Sequence, residues 1–491
     1  MPMPASFVPP SPQELFRFAP EMLMTVVATL IMVMEPLSAP EGKRKFAVMT
    51  FLALIAGIVL TVMGTNDPGT AFSKMLVLDG FAAFFRILVM VVGLLIVLIS
   101  TNYLKLEQHE SGEYYAVMLF SIIGQCLMVS ANELIMLFIG LECSSIASYV
   151  LAGYLRDDKR NNESALKYFL LGSFATAFLL YGVAWIYGLT GTTNLSAIRT
   201  TLLDPTNHPN LVMLGAATAL LFVGLAFKVS AAPFQMWAPD VYQGAPAPVT
   251  AFMSVGPKAA AFAMFLRILM TAFEPLKDRW EPILWVSALA TMIIGNFAAL
   301  RQTNIKRLLA YSSIAHAGYV MVALTTHSEI GTAAAMFYLA SYAFMNIGAF
   351  AVVTYVARRG EKHVATQDLS GLSQTQPLVA AMLTIFLLSL TGIPLTAGFF
   401  GKFYIFKAAL DANLIWLAVL GMLNSAVAAY YYLRIIVVMY MQPPAESAEE
   451  LLAPSAGIRV AILCTAIVTL FLGIFPSFVL DFAGRSASLI R

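Results

Sequence analysis

Long apolar segments recur along the whole chain, and they constrain its fold more than any other feature. Fourteen segments come close to the roughly 20 residues that a helix needs to cross the hydrocarbon core of a bilayer. They lie near 20–37, 45–64, 80–101, 114–131, 133–155, 163–190, 210–233, 248–273, 281–300, 306–326, 330–357, 377–400, 413–438 and 458–483. Only 11% of the 491 residues are charged, against about 25% in a soluble domain. The sequence therefore predicts an all-α integral membrane protein with about fourteen transmembrane helices.

Lysine and arginine are divided unevenly between the two sets of short loops. The loops after the first, third, fifth, ninth and eleventh segments, here called the basic loops, carry thirteen of these residues, and the opposite loops carry five. Positively charged loops remain in the cytoplasm. Since the number of segments is even, both termini are expected on the non-cytoplasmic side. The net charge of +2 provides no basic surface for nucleic acid.

Two motifs recur at the same offset of 168 residues. SSIA occurs at Ser144–Ala147 and Ser312–Ala315, and FLLGSFA at Phe169–Ala175 aligns with FYLASYA at Phe337–Ala343. The copies lie five segments apart, and because five is odd, the second copy must cross the membrane in the opposite sense. This pattern predicts two inverted-topology five-helix repeats. The expected organisation is three N-terminal helices in 1–110, the repeats in 111–275 and 276–440, and a C-terminal helix in 441–491.

Proline and glycine interrupt one segment in each repeat. The seventh segment reaches Lys228 and then Pro233, and in the twelfth, LTGIPLTAGFFGKFYIF, Pro394 precedes Lys402. Proline removes a backbone donor, and the groups freed at membrane depth need water or protein partners. We therefore expect discontinuous seventh and twelfth helices with breaks at Pro233 and Pro394, each beside a lysine. A further break is expected at Pro257 in the eighth segment.

Three more ionisable side chains lie deep inside segments: Glu142 in the fifth, Lys258 in the eighth and His316 in the tenth. A charge at such depth costs roughly 2.5–3.5 kcal/mol on insertion scales, so each is a functional candidate. Each also has a purely structural explanation. Glu142 and Lys228 could form a static ion pair, backbone carbonyls could hold Lys258, and His316 could be a hydrogen-bonded core histidine.

Buried lysines are suited to proton transfer, because a lysine that alternates between a dry environment and a nearby carboxylate releases and captures a proton. The predicted proton relay consists of Glu142, Lys228, Lys258 and Lys402. The secondary candidates are His316, Lys306 and Glu133, of which Lys306 and Glu133 are near segment ends where they can reach water. No metal site is predicted, because Cys126, Cys143 and Cys464 are isolated and form no ligand set.

Four stretches resemble a known family. GLECSSIASYVLAGY, FKVSAAPFQMWAPDVYQGAPAPV, NIKRLLAYSSIAHAGY and GIPLTAGFFGKFYIF are similar to subunit N of the bacterial proton-pumping NADH:quinone oxidoreductase, respiratory complex I. The similarity runs from about residue 80 to residue 440. It implies an antiporter-like subunit of the membrane arm. It also carries the family's glutamate of helix five onto Glu142, and its lysines of helices seven, eight and twelve onto Lys228, Lys258 and Lys402. The sister subunit M has a glutamate where Lys402 stands.

The resemblance further implies that quinone reduction elsewhere in the complex drives protons through this chain, in the bacterial cytoplasmic (inner) membrane. It implies that FMN, iron–sulfur clusters, NADH and quinone belong to partner subunits and that this chain binds no cofactor. The implied partners are subunit M, the small subunits J, K, A and H, the lipid bilayer and, indirectly, the peripheral redox arm.

Two alternatives remain. A subunit of an Mrp-type monovalent cation/proton antiporter would share the fold and work without a redox partner. A self-contained quinone reductase would need its own redox centre. The sequence disfavours the second, because it contains no Gly-rich dinucleotide turn in a βαβ context, no cysteine cluster and no plausible haem pair among its five histidines.

Overall fold

The computed structural model describes residues 9–39, 43–205, 210–444, 451 and 453–488. Both chain ends, for which the sequence predicts a side of the membrane, lie outside these residues. The α-helices of the described residues are α1 (Pro12–Arg17), α2 (Ala19–Met34), α3 (Arg44–Gly64), α4 (Gly80–Leu106), α5 (Gly112–Ser130), α6 (Leu134–Ala152), α7 (Lys159–Thr190), α8 (Leu195–Leu203), α9 (Leu211–Val229), α10 (Trp237–Gly244), α11 (Ala247–Met270), α12 (Lys277–Ala299), α13 (Ile305–Thr325), α14 (Glu329–Ala357), α15 (Leu372–Thr375), α16 (Pro377–Thr391), α17 (Ala397–Asp411), α18 (Ile415–Met441), α19 (Ala456–Ile474) and α20 (Ser477–Ala487).

The remaining regular structure of the described residues is small. One antiparallel hairpin joins β1 (Gly69–Ala71) to β2 (Leu76–Leu78), with Gly69 opposite Leu78. Single 3-10 turns occupy Glu274–Leu276, Arg359–Glu361 and Thr366–Leu369. The hairpin and these turns all lie between long helices.

Twelve helices of the described residues are long and apolar enough to cross a membrane. They are α3 to α7, α9, α11 to α14, α18 and α19. Two shorter apolar helices, α2 and α16, lie where the sequence predicts the first and twelfth segments. The prediction of an all-helical protein with many membrane-spanning helices is therefore confirmed.

Polar caps fix where many of the long helices begin. The side chains of Asp79, Ser111, Glu133, Asn304 and Ser328 accept a hydrogen bond from a backbone N–H of the first turn of α4, α5, α6, α13 and α14. Such caps satisfy donors that have no partner within the helix. Apolar composition thus sets the length of these helices, and single polar residues set their starting points.

The bundle is centred on α11, α13 and α14. Every residue of α11 is buried, and so are most residues of α13 and α14. Around them, α4 and α5 pack against α11, and α12 and α17 pack against α13. Many outer helices, such as α3 and α7, bury one face and expose large apolar side chains on the other. Most side chains on the central helices are therefore shielded from lipid by the surrounding helices.

Two of the apolar segments are interrupted where the sequence predicts a break. Helix α9 ends at Val229, and the chain passes Pro233 before α10 begins at Trp237. Helix α16 ends before Gly392, which has a φ of +95°, and Pro394 lies in the gap before α17. Each gap leaves the last carbonyls of a helix without partners in that helix.

The break expected at Pro257 is wrong, because α11 runs through this residue without interruption. A proline inside a helix frees the carbonyl four residues earlier, here that of Met253. The Tyr242 hydroxyl donates to this carbonyl at 3.5 Å. A neighbouring donor and complete burial of the helix therefore make an uninterrupted helix possible here.

Glycines allow two helix pairs to approach closely. A Cβ added at Gly124 on α5 would lie 2.4 Å from the Ser144 nitrogen on α6, and one added at Gly295 on α12 would lie 2.5 Å from the Ala315 nitrogen on α13. Small residues at helix crossings let backbones touch in membrane bundles. The helices that carry the two SSIA motifs are therefore each packed backbone to backbone against the helix before them.

We expect Gly124→Ala to destabilise the chain, because one methyl group forces α5 and α6 apart. Overpacking of this kind costs about 1–3 kcal/mol. The midpoint of thermal denaturation of the purified chain in detergent measures the effect. Gly215→Ala on α9 is the control, since a Cβ there would meet nothing within 4 Å. Equal midpoints for the two variants would contradict the close contact.

Candidate functional site

The three lysines that the sequence predicts for a relay all lie inside the bundle. Lys228, Lys258 and Lys402 are 4%, 3% and 5% exposed. They come from three different helices, α9, α11 and α17. Because burying an ammonium group is costly, its partners determine what the group can do.

Lys228 occupies the last turn of α9, directly before the gap that contains Pro233. Its Nζ donates to the Ser145 hydroxyl on α6 at 2.5 Å. The same ammonium lies 5.7 Å from the ring centre of Tyr149 and 5.6 Å from that of Tyr168, within the range of cation–π attraction. A hydroxyl and two aromatic rings therefore hold this charge.

Glu142 precedes Ser145 by about one turn of α6. Its Oε1 is buried and has no hydrogen-bond partner among the described residues. Over those same residues, no ion pair within 4.0 Å joins Glu142 to Lys228; the ammonium bonds to Ser145 instead. The structural alternative of a direct, static pair therefore has no contact to support it in this conformation.

Lys258 follows Pro257 in the middle of α11. Its Nζ donates to the Ser313 hydroxyl at 2.6 Å and to the Ser313 carbonyl at 3.2 Å. Ser313 is the second serine of the second SSIA motif, and Ser145 is the second serine of the first. Each copy of the repeated motif thus supplies one hydroxyl to one buried lysine.

Lys402 lies in the second turn of α17, after the gap that contains Pro394. Its Nζ donates to the carbonyls of Leu390 and Thr391 at 3.0 and 2.8 Å, and to the Ser425 hydroxyl at 2.7 Å. The two carbonyls belong to the last turn of α16, which the helix break leaves without helical partners. The break therefore provides part of the site of this lysine.

Helix α13 connects the surroundings of Lys258 and Lys402. Ser313, which contacts Lys258, is followed at intervals of three residues by His316 and by Tyr319, whose ring centre lies 4.8 Å from the Lys402 Nζ. Residues at this spacing share one face of a helix. His316 consequently stands between the two lysines along this face.

His316 is 2% exposed, and both of its ring nitrogens have partners. Nδ1 bonds to the Tyr338 hydroxyl at 2.6 Å and Nε2 to the Tyr432 hydroxyl at 3.1 Å, and Tyr432 in turn contacts the Ser312 hydroxyl. In the neutral ring one nitrogen donates and the other accepts. This is a well-bonded core histidine that also belongs to a continuous chain of exchangeable protons.

Of the two candidates near segment ends, Lys306 was predicted to reach water, and that prediction is wrong. Lys306 is fully buried, and its Nζ bonds to Glu361 Oε2 and to the Ala245 carbonyl, both at 2.5 Å. The loop that follows α14 folds over the first turn of α13 and brings Glu361 to it. Sequence reasoning missed Glu361, because it lies in the charged run RRGEKH, which is typical of an exposed loop.

The side chain of Glu133 is hydrogen-bonded at the start of α6. Its carboxylate accepts from the backbone N–H of Met136 at 3.2 Å and from the Thr193 hydroxyl. Its backbone forms a bridge with Asn194, as that of Asn304, the residue before α13, does with Ala365. The side chain therefore serves as a helix cap.

A cavity of about 530 Å³ lies between α17 and α18 and reaches Lys402. Its lining includes Ser425, Lys407 and Asp411, together with Phe399. Most of the residues that line it are apolar, and it opens to the outside of the bundle. Lys402 thus lines an open cavity besides making its three hydrogen bonds.

Comparison with known proteins assigns the family. The family described as "NADH:quinone oxidoreductase/Mrp antiporter, TM" matches residues 131–428. A protein of Solibacter usitatus named NADH-quinone oxidoreductase subunit N 1 is 62% identical over 483 residues, which cover 98% of this chain and 99% of that protein. The chain belongs to the subunit N family. All four predicted relay residues fall within the matched range.

Solved structures share the fold. A chain of respiratory complex I from Thermus thermophilus is 33% identical with a TM-score of 0.81, covering 95% of this chain and 99% of that chain. A chain of the Mrp complex from Dietzia has a TM-score of 0.84 at 22% identity, covering 97% of each chain. The likeness to the Mrp chain shows the fold alone. The choice between complex I and an Mrp complex therefore rests on the 62% identical relative, which is named as subunit N.

We expect Ser145→Ala to destabilise the chain more than Ser144→Ala. The first change removes a hydrogen bond to a charged group, worth about 1.5–3 kcal/mol, and the second removes a neutral contact, worth about 0.5–1.5 kcal/mol. The Ser144 hydroxyl meets that of Ser121 at 3.2 Å. Thermal denaturation of the purified chain in detergent measures both changes, and Ser145→Thr should restore stability. Equal losses would mean that Lys228 does not depend on this hydroxyl.

Proposed function

We propose that this chain is the proton-translocating, antiporter-like membrane subunit of an NADH:quinone oxidoreductase. In this proposal protons cross the bundle along Glu142, Lys228, Lys258 and Lys402, driven by quinone reduction elsewhere in the complex. One observation carries it: each of the three lysines of the proposed relay donates to a serine hydroxyl. These serines are Ser145, Ser313 and Ser425.

A serine hydroxyl is a suitable neighbour for a group that must lose its proton. The hydroxyl accepts from the ammonium and donates in turn, and it carries no charge that would hold the lysine permanently protonated. Buried arginines of the same bundle differ. Arg86 pairs with Glu21 at 2.5 Å, and Arg267 pairs with Asp79 at 2.9 Å. Arginine keeps its charge, so those pairs are suited to fixing helices rather than to moving protons.

We further propose fourteen membrane crossings arranged as two inverted five-helix repeats. Twelve long helices, α2, and an interrupted crossing made of α16 and α17 account for this number. Three correspondences support the repeat: the serines that contact Lys228 and Lys258, the close glycine contacts of α5 with α6 and of α12 with α13, and the two backbone bridges near the starts of α6 and α13. All three relate α5 and α6 to α12 and α13.

The proposed setting is the bacterial inner membrane, with both termini on the non-cytoplasmic side and the basic loops in the cytoplasm. The proposed neighbours are subunit M and the small subunits J, K, A and H. FMN, iron–sulfur clusters, NADH and quinone are assigned to partner subunits. A subunit of an Mrp-type antiporter is the second candidate, because the description of the matching family names both kinds of complex.

We expect Glu142→Gln and Lys228→Arg each to lower proton pumping by about tenfold or more while the complex still assembles. Glutamine keeps the shape of Glu142 without its charge, and a guanidinium cannot release the proton that Lys228 would pass on. A positioned proton-transfer group typically contributes about 10²-fold or more. Proton uptake by membrane vesicles, normalised to assembled complex, measures the loss.

Lys277→Arg is the matched control for the second variant, because Lys277 is exposed at the start of α12. Full pumping by both Glu142→Gln and Lys228→Arg would remove Lys228 from the relay. Loss of assembly with normal pumping by the remaining complex would instead show a structural role.

We expect the chain to copurify with flavin and iron–sulfur subunits, and the isolated chain to show no NADH oxidation or quinone reduction in liposomes. Flavin fluorescence, iron content and NADH turnover are the measurements. Sodium/proton or potassium/proton exchange by a purified complex that lacks flavin would establish the antiporter alternative. Turnover of NADH by the isolated chain would contradict both candidates.

A further inference from the structure

A buried carboxylate–lysine pair, Glu361 with Lys306, lies away from the three central lysines. Glu361 is 8% exposed, and its Oε2 accepts from Lys306 Nζ at 2.5 Å. Its Oε1 accepts from the Tyr103 hydroxyl at 2.8 Å and from the backbone N–H of Ala247 at 2.6 Å. These partners belong to α13, α4 and α11. One loop carboxylate therefore joins the ends of three helices.

A cavity of about 550 Å³ leads from the surface of the basic loops to this carboxylate. Its walls come from three of these loops and include Tyr103, Glu107, Arg160 and Glu361. The loops are tied together, since Arg160 donates to the Gly360 carbonyl at 2.9 Å and the Gly360 N–H donates to Glu107 at 2.6 Å. The cavity is thus built from bonded loops, with Glu361 among its lining residues.

The site also has a direct structural connection to the proposed relay. Ala247, which donates to Glu361, is the first residue of α11, and Lys258 lies about three turns further along the same helix. Lys306 bonds to the Ala245 carbonyl just before that helix. A change in the charge of Glu361 would therefore be felt at the start of the helix that carries Lys258.

We propose that this cavity is where protons enter the chain from the side of the basic loops, and that Glu361 is the group that first takes them up. The proposal rests on the proposed proton-translocating function. A proton from water in the cavity binds a carboxylate oxygen of Glu361 and gives the neutral acid. Lys306 then loses its counter-charge and releases its own proton towards Lys258, and Glu361 returns its proton to Lys306. One proton moves inward, and both groups recover their charges.

The test compares Glu361→Gln with Glu361→Asp in the assembled complex. Glutamine keeps the length and the acceptor oxygen but cannot take up a proton in this way, whereas aspartate keeps the titratable group and shortens the side chain. Uptake by Glu361 predicts that the glutamine variant pumps about tenfold less or worse, and that the aspartate variant pumps better than the glutamine variant. The reverse order, or wild-type pumping by Glu361→Gln, overturns the proposal.

Glu35→Gln is the matched control. The Glu35 carboxylate is also buried, pairs with Lys43 at 2.8 Å, and accepts from the Gly112 N–H at 2.8 Å and the Ser111 hydroxyl at 3.1 Å. It lies on the same side but does not line the cavity. We expect Glu35→Gln to pump protons as the wild type does. If Glu35→Gln and Glu361→Gln lowered pumping equally, the proposal would fail, because the complex would simply need its buried carboxylate–lysine pairs.

A double variant, Glu361→Gln with Lys306→Gln, separates proton uptake from simple charge neutralisation. If Glu361 only neutralises Lys306, removing both charges restores pumping and the proposal fails. If both groups carry the proton, pumping remains low. Lys228→Arg is measured in parallel. A loss there with normal pumping by Glu361→Gln rejects the uptake site alone, and normal pumping by both variants rejects the proposed relay through Lys228 as well.

Thiol labelling covers the case in which the glutamine variant does not assemble. Leu155 lines the cavity and is 7% exposed, so Leu155→Cys places a thiol in its wall. The background carries Cys464→Ser, because Cys464 is exposed. A membrane-impermeant thiol reagent added from the side of the basic loops should label this cysteine and slow pumping several-fold. Labelling without slower pumping, or no labelling, overturns the proposal. Lys105→Cys, exposed on the same side, is the labelled control.

Discussion

The contact between a buried ammonium and a neutral oxygen is the interaction on which the interior of this bundle depends. Lys228, Lys258 and Lys402 have serine hydroxyls as partners, and Lys258 and Lys402 also have backbone carbonyls. A buried charge without partners costs several kcal/mol. A carboxylate partner would offset more of that cost, but it would also hold the proton. Neutral oxygens make burial tolerable while leaving the protonation of lysine open to change.

The helix breaks supply some of these oxygens, and the two breaks are used differently. Lys228 precedes its gap and turns to a hydroxyl of another helix, whereas Lys402 follows its gap and takes the freed carbonyls of Leu390 and Thr391. The lysine thus stands on opposite sides of the break in the two copies. An alignment of the two repeats by their helix breaks would therefore not place Lys228 opposite Lys402. An alignment by the SSIA motif does place Ser145 opposite Ser313.

Much of the fold could be predicted from the sequence, because apolar length and proline position are local signals. The hydrogen-bond partners of the buried lysines could not be predicted, because they depend on how distant helices pack. The SSIA repeat indicates a duplicated helix, but only its rotation in the bundle shows that the second serine faces a lysine. The break expected at Pro257 is wrong: α11 continues through this residue, where the helix is fully buried and the Tyr242 hydroxyl lies 3.5 Å from the freed carbonyl of Met253. Lys306 is buried because Glu361, distant in sequence, folds over it.

The type of cation at each buried site separates contacts that hold helices from contacts that can transfer a proton. Arg86 with Glu21 and Arg267 with Asp79 pair a permanent cation with a carboxylate, so both charges stay in place. The central lysines pair a releasable proton with a neutral oxygen. Lys306 with Glu361 combines a releasable proton with a carboxylate that lines a cavity. Both members of that pair can change protonation, and such a pair is suited to the boundary between water and the interior rather than to the interior itself.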